Sequence, residues 1–157
     1  MDREARTPRI SGSFAAFYDA SREIEQRLAI DRAALATDFR VRAKRLADTF
    51  ARWPEEPPDV ALRSLCIQEL VDLNGEVHAY LDGQRQAIDL LDRINGLSPL
   101  ARTAPLARRL TSEIERIVED FIAWRSERPP EPKARVETIQ ALVVLTDQVN
   151  ALLRGER

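Results

Sequence analysis

Between Ser11 and Trp53 the large apolar residues recur at a step of eleven: Phe17, Leu28, Phe39 and Phe50 form one series, and Ile24, Leu35 and Leu46 a second. Eleven residues in three turns is about 3.67 per turn, so such a stripe runs nearly straight along an α-helix. The pattern predicts one long helix over about 12–53, begun at Ser11 or Ser13, whose side chains can cap exposed amides. At the helical rise it would be about 60 Å long, too long for a single compact partner to cover. Whatever follows in the chain has to supply apolar faces for that stripe.

Proline marks the divisions. Pro54, Pro57 and Pro58, then Pro99 and Pro105, then Pro129, Pro130 and Pro132 separate stretches that are each helically periodic, and proline is excluded from helix interiors because it lacks the amide donor and clashes with the preceding turn. The second helix is predicted over about 59–95, capped by Asp59 and closed by Gly96 as a left-handed residue. It carries a heptad, with Cys66, Leu73, Tyr80, Ala87 and Ile94 interleaved with Leu70, Val77, Gln84 and Leu91, the signature of coiled-coil-like packing. Gly75 and Gly83 fall inside it, at about 1 kcal/mol each relative to alanine. The heptad passes through both, which favours a continuous helix over a kink or a hairpin at Asn74-Gly75, and glycine there can let a neighbouring helix come close. The third helix, about 104–128, has Thr103 as cap, Pro105 in its first turn and the stripe Leu106, Leu110, Ile114, Ile117, Phe121, Trp124. The fourth, about 133–154, has Val136, Ile139, Val143, Val149 and Leu153 on one side. Leu142, Val144, Leu145 and Leu152 widen that side, as in a helix buried centrally or at an oligomer interface.

The predicted fold is all-α: an antiparallel bundle of about four helices, two long and two shorter. Residues 1–10 are expected to be a disordered tail and 11–154 a single domain. The first helix holds eight bases and six acids, and Val60 to Gly96 three bases and six acids, so opposite net signs favour pairing the long helices. Any length of that pair left uncovered exposes an apolar stripe, and such stripes mark interfaces.

Composition narrows the classes. Apolar residues make up 44% and charged residues 32%, which excludes a disordered chain. The net charge of −2 argues against a surface that grips nucleic acid throughout. One cysteine, Cys66, and one histidine, His78, build neither a disulfide nor a zinc site. No apolar run of about 18 residues is present, so no membrane span is expected, and the location is read as cytoplasmic.

The candidate chemistry is sparse. His78 is placed toward the rim of the heptad, as a solvated side chain and not as the base of a nucleophile. Glu113, Glu115, Glu119 and Asp120 cluster on the third helix, with Asp72, Glu76 and Asp89 available on the second; a metal-dependent hydrolase would need such acids turned inward from several helices. Arg40, Arg42, Lys44 and Arg45 form the densest basic run and Arg102, Arg108 and Arg109 a smaller one. Contact with nucleic acid or another anion would use Arg40, Lys44, Arg108 and Arg109 if the two groups converged. The sequence therefore points to a non-enzymatic helical protein–protein interaction module: an adaptor, a scaffold or a small subunit, working with a protein partner or by self-association. No catalytic residue, metal site or cofactor is expected. The interface is expected at Tyr18, Trp53, Leu142, Val144, Leu145 and Leu152, since tyrosine and tryptophan are enriched at hot spots. The alternatives are a helical subunit lying on nucleic acid and a small metal-dependent hydrolase.

Overall fold

The eleven-residue stripe covers itself. In the computed structural model, which describes residues 14–155, the predicted first helix is two helices, α1 (Phe14–Arg27) and α2 (Ala34–Arg52), folded back on each other. The long helix over 12–53 is thus corrected; Ser11 and Ser13, and the predicted tail over 1–10, lie outside the described residues. The chain turns at Leu28–Ala33. There Asp31 N donates to Leu28 O, and the Asp31 carboxylate accepts from Ala33 N at 3.0 Å, an aspartate turn that offers the backbone an alternative to the helical ladder. Folding about this point brings the ends of the stripe together. The rings of Phe17 and Phe50 stand 5.5 Å apart, Phe14 and Trp53 5.1 Å, and Phe50 meets Trp53 edge-on at 4.8 Å. Buried Ser21, Ala36, Ala43 and Ala47 are small enough to keep the two helices close. A straight rod would have left these rings in water, whereas burying one large side chain stabilises by about 1.5–3 kcal/mol; several such burials outweigh one broken helical turn.

The remaining helices are α3 (Val60–Asn95), α4 (Pro99–Arg102), α5 (Pro105–Ala123) and α6 (Pro132–Leu153), with no strand among the described residues. The fold is all-α. The chain divides into two compact units, Met1–Val77 and His78–Arg157, so that α3 contributes its first half to one and its second half to the other.

In the first unit α3 starts on a cap: the Asp59 carboxylate accepts from Leu62 N at 2.8 Å. Cys66, Leu70, Leu73 and Val77 are its buried seam, at the predicted heptad positions. Glu76 is buried beside them and takes 3.1 Å from the Arg42 guanidinium of α2, which also reaches Asp38 at 3.6 Å.

In the second unit the seam of α3 continues as Tyr80, Gly83, Ala87, Leu90 and Ile94. Gln84 and Leu91, predicted as seam positions, are each displaced by one residue, because the spacing from Val77 runs three and three before four resumes. A three-residue insertion of this kind overwinds a coiled-coil seam, and it falls where one unit passes to the next. The α3 helix is continuous through both glycines. An ideal Cβ at Gly83 would lie 2.5 Å from the Phe121 ring of α5, so glycine there admits a neighbour, whereas a Cβ at Gly75 meets nothing within 4 Å. Replacing Gly75 with alanine is therefore expected to stabilise the chain by about 0.5–1 kcal/mol, through helix propensity alone; urea unfolding followed by circular dichroism checks it.

Phe121, near the end of α5, lies on Gly83, and Arg93, near the end of α3, donates to Asn150 near the end of α6 at 2.7 Å. Hence α5 runs antiparallel and α6 parallel to α3. The α5 seam is Ala107, Leu110, Ile114, Ile117, Phe121 and, just past the helix, Trp124, as predicted except that Ala107 replaces the exposed Leu106. Thr103 does not cap α5. It closes the unpredicted α4, itself capped by the Ser98 hydroxyl accepting from Ala101 N, while α5 starts at Pro105 after Ala104. Nor is Gly96 left-handed: its amide donates to Asp92 O, Leu97 N to Ile94 O, and the chain tightens directly into α4. Among the described residues the positive-φ glycine is Gly155, at 79°.

Candidate functional site

The apolar side of α6 differs from the one the sequence suggests. Its buried positions are Arg135, Thr138, Leu142, Leu145 and Val149, in three-four alternation, while Val136, Val143 and Val144 are exposed. Two of the five are polar, which hid the seam. Arg135 satisfies itself on Pro130 O at 2.6 Å and Thr138 on Ala134 O at 3.0 Å, so neither loses a hydrogen bond by being buried.

This placement sorts the expected interface residues. Trp53, Leu142 and Leu145 are buried in the fold, where they offer no surface and are corrected to core residues. Tyr18 and Leu152 are half-buried and Val144 is exposed. The basic residues belong to different units. In the first unit Arg40 donates to Asp31 O and the Thr37 hydroxyl, and Lys44 pairs with Asp48 at 3.0 Å. In the second, Arg109 pairs with Glu113 at 3.4 Å and Arg108 is exposed.

The groups that a reaction would use are dispersed. His78 is exposed, and Glu113, Glu115, Glu119 and Asp120 all face solvent, as do Asp72 and Asp89. The inward carboxylates that a metal-dependent hydrolase needs are therefore not assembled from these residues, and among the described residues no three His, Cys, Asp or Glu are grouped to hold a metal ion. Cys66 is buried, and its thiol is pushed above its ordinary range, first by burial and then by the Glu69 carboxylate. A thiol in that state is a poor nucleophile. Among the described residues no helix is long and apolar enough to cross a membrane.

Among the described residues, three surfaces bear on binding. The first is on the first half of α3, where Val60 to Leu65 is exposed throughout, with Val60 at 81%, Leu62 at 48%, Leu65 at 58% and, a little further on, Val71 at 58%. Sequence reasoning missed these four residues, although they carried a signal. Each is apolar yet falls off the Cys66–Leu70–Leu73–Val77 series, and apolar residues off the seam have no place in their own bundle. The second surface is a groove of about 600 Å³ between α5 and α6, lined by Ile117, Trp124, Ala134, Ala141 and Val144 among others. The third is a shallower depression of about 410 Å³ between α1 and α2, lined by Ala29, Thr37, Arg40 and Val41 among others. Compared with protein-family models, curated proteins and solved structures, the chain matches none.

Proposed function

We propose that this chain is a non-enzymatic helical protein–protein interaction module, acting as an adaptor, scaffold or small subunit of a larger complex. The observation that carries the reading is the set of apolar side chains exposed on the first half of α3, Leu62 and Leu65 on one flank of its buried seam and Val60 and Val71 on the other. Single exposed apolar residues are ordinary; several along one half of a helix are the usual mark of a surface meant to be covered. The dispersal of His78, Cys66 and the carboxylates supports the same reading, since none sits beside a partner with which it could do acid–base or nucleophilic work. The nucleic-acid alternative has less behind it, because Lys44 and Arg109 lie against carboxylates of their own helices, which reduces the net charge they offer a phosphate.

The test uses Leu62→Gln with Leu65→Gln. Both side chains are exposed, so unfolding stability is expected to stay within about 0.5 kcal/mol of wild type. Native mass spectrometry of the chain purified gently from its own cells is expected to show a protein partner, or a second copy, at fixed stoichiometry. The double variant is expected to lose it. A bare wild-type monomer, or a partner kept by the variant, overturns the reading.

A further inference from the structure

We propose that the groove between α5 and α6 of one copy receives the α1–α2 hairpin of a second copy, in a head-to-tail contact. This rests on the reading of the chain as an interaction module, though not on α3 as the face used.

Two observations meet. The first is charge. Glu113, Asp120 and Glu137 stand on the α5–α6 groove against Arg116 and against Arg109, which pairs with Glu113, while Arg22, Arg40 and Lys44 stand on the α1–α2 depression against Glu25 and Asp48, which pair with Arg22 and Lys44, so each surface keeps an excess of one charge. The surfaces carry opposite net signs, the arrangement that steers association and fixes register. The Leu62 and Leu65 flank of α3 is the other apolar candidate for the groove, but Glu69 and Asp72 stand on that flank, and their sign matches that of the groove. Like-charge juxtaposition disfavours it, so the hairpin is the better occupant.

The second is shape. The α6 wall runs from Ala134 to Gln148, about 21 Å at the helical rise, which α2, with its 19 residues, is long enough to fill. Ala134 and Ala141 leave the groove open on that wall, and an exposed valine stands on each surface, Val41 on the hairpin and Val144 on the groove. Each surface is a furrow between two antiparallel helices, so the ridge of one can enter the furrow of the other, as helices pack generally.

In a head-to-tail contact every copy uses both surfaces, so association continues to a ring or a filament and does not stop at a two-fold dimer.

Sedimentation velocity over a wide concentration range, at low and high salt, tests this. Wild type is expected to associate with rising concentration, and less so in high salt. A groove variant, Asp120→Lys with Glu137→Lys, and a hairpin variant, Arg22→Glu with Lys44→Glu, are each expected to weaken association by about tenfold or more. All four side chains are exposed or paired at the surface, and circular dichroism confirms that each variant folds. Mixed together, the two variants are expected to recover association, since every contact between unlike copies again pairs opposite charges. The chain carrying all four substitutions is expected to regain association. Wild type that stays monomeric at every concentration, charge variants that associate like wild type, or a mixture that forms no pairs overturns the proposal. Association that survives the charge variants but disappears in Leu62→Gln/Leu65→Gln overturns it too, and leaves the α3 reading standing; the opposite result removes α3 and keeps the hairpin contact.

Discussion

Replacing Phe50 with alanine is expected to destabilise the first unit by about 3–5 kcal/mol. The Phe50 ring is fully buried and lies between Phe17 at 5.5 Å and Trp53 at 4.8 Å, nearly perpendicular to the latter. Truncation removes its transfer free energy and both aromatic contacts, each worth about 0.5–1.5 kcal/mol beyond area. It also leaves a cavity at the open end of the hairpin, where α1 and α2 are held together by these rings. Against a typical total stability of about 5–15 kcal/mol, the loss is large enough to unfold a measurable fraction at room temperature. The urea midpoint by circular dichroism and amide exchange across α1 and α2 read it. Phe17→Ala, at a half-buried ring, is expected to cost less. A Phe50→Ala loss below about 1 kcal/mol would mean that the hairpin is not closed by these rings.

Gly83→Leu is expected to cost about 2–3 kcal/mol, even though leucine favours a helix over glycine by about 1 kcal/mol. The Cβ alone would sit 2.5 Å from the buried Phe121 ring, which itself packs on Trp124 at 5.3 Å. The ring has little room to retreat, so the added side chain forces α5 away from α3. Gly75→Ala in the same helix carries the opposite expected sign, so the pair separates packing from propensity. Phe121→Leu added to Gly83→Leu should recover part of the loss as a favourable coupling between the sites. Strict additivity of the two substitutions would refute the close approach.

What was legible in the sequence depended on whether a side chain's own chemistry announced its place. The heptad from Cys66 to Ile94 fixed α3 because tertiary packing repeats along it, and the Asp59 cap and the proline-bounded starts of α5 and α6 are local devices that residue types reveal. The turn at Leu28–Ala33 was hidden because its one device, the Asp31 side chain, sits inside an unbroken apolar period. That period serves a hairpin as well as a rod: turning about Ala33–Ala34 puts Phe17 level with Phe50 and Leu28 level with Phe39. The seam of α6 is hidden in the sequence because Arg135 and Thr138 are buried with their hydrogen bonds satisfied nearby, something no apolar pattern records. For the same reason Leu142 and Leu145, expected on a helix buried centrally or at an interface, are not separated by pattern alone from the exposed Val143 and Val144. The candidate faces were half visible. Arg40 and Lys44 stand out in the sequence as bases, but Arg22 joins them only once α1 has folded back onto α2.

The two tryptophans fall one to a unit, Trp53 in the first and Trp124 in the second, and both are buried. The protein therefore carries a built-in pair of optical reporters. Trp124→Phe leaves emission that follows the first unit alone, and Trp53→Phe leaves emission that follows the second. Coincident denaturation curves from the two variants would make the shared helix α3 a device for cooperativity. Two separate curves would make it a tether between independently melting halves, and fluorescence alone would then assign every destabilised variant to its half.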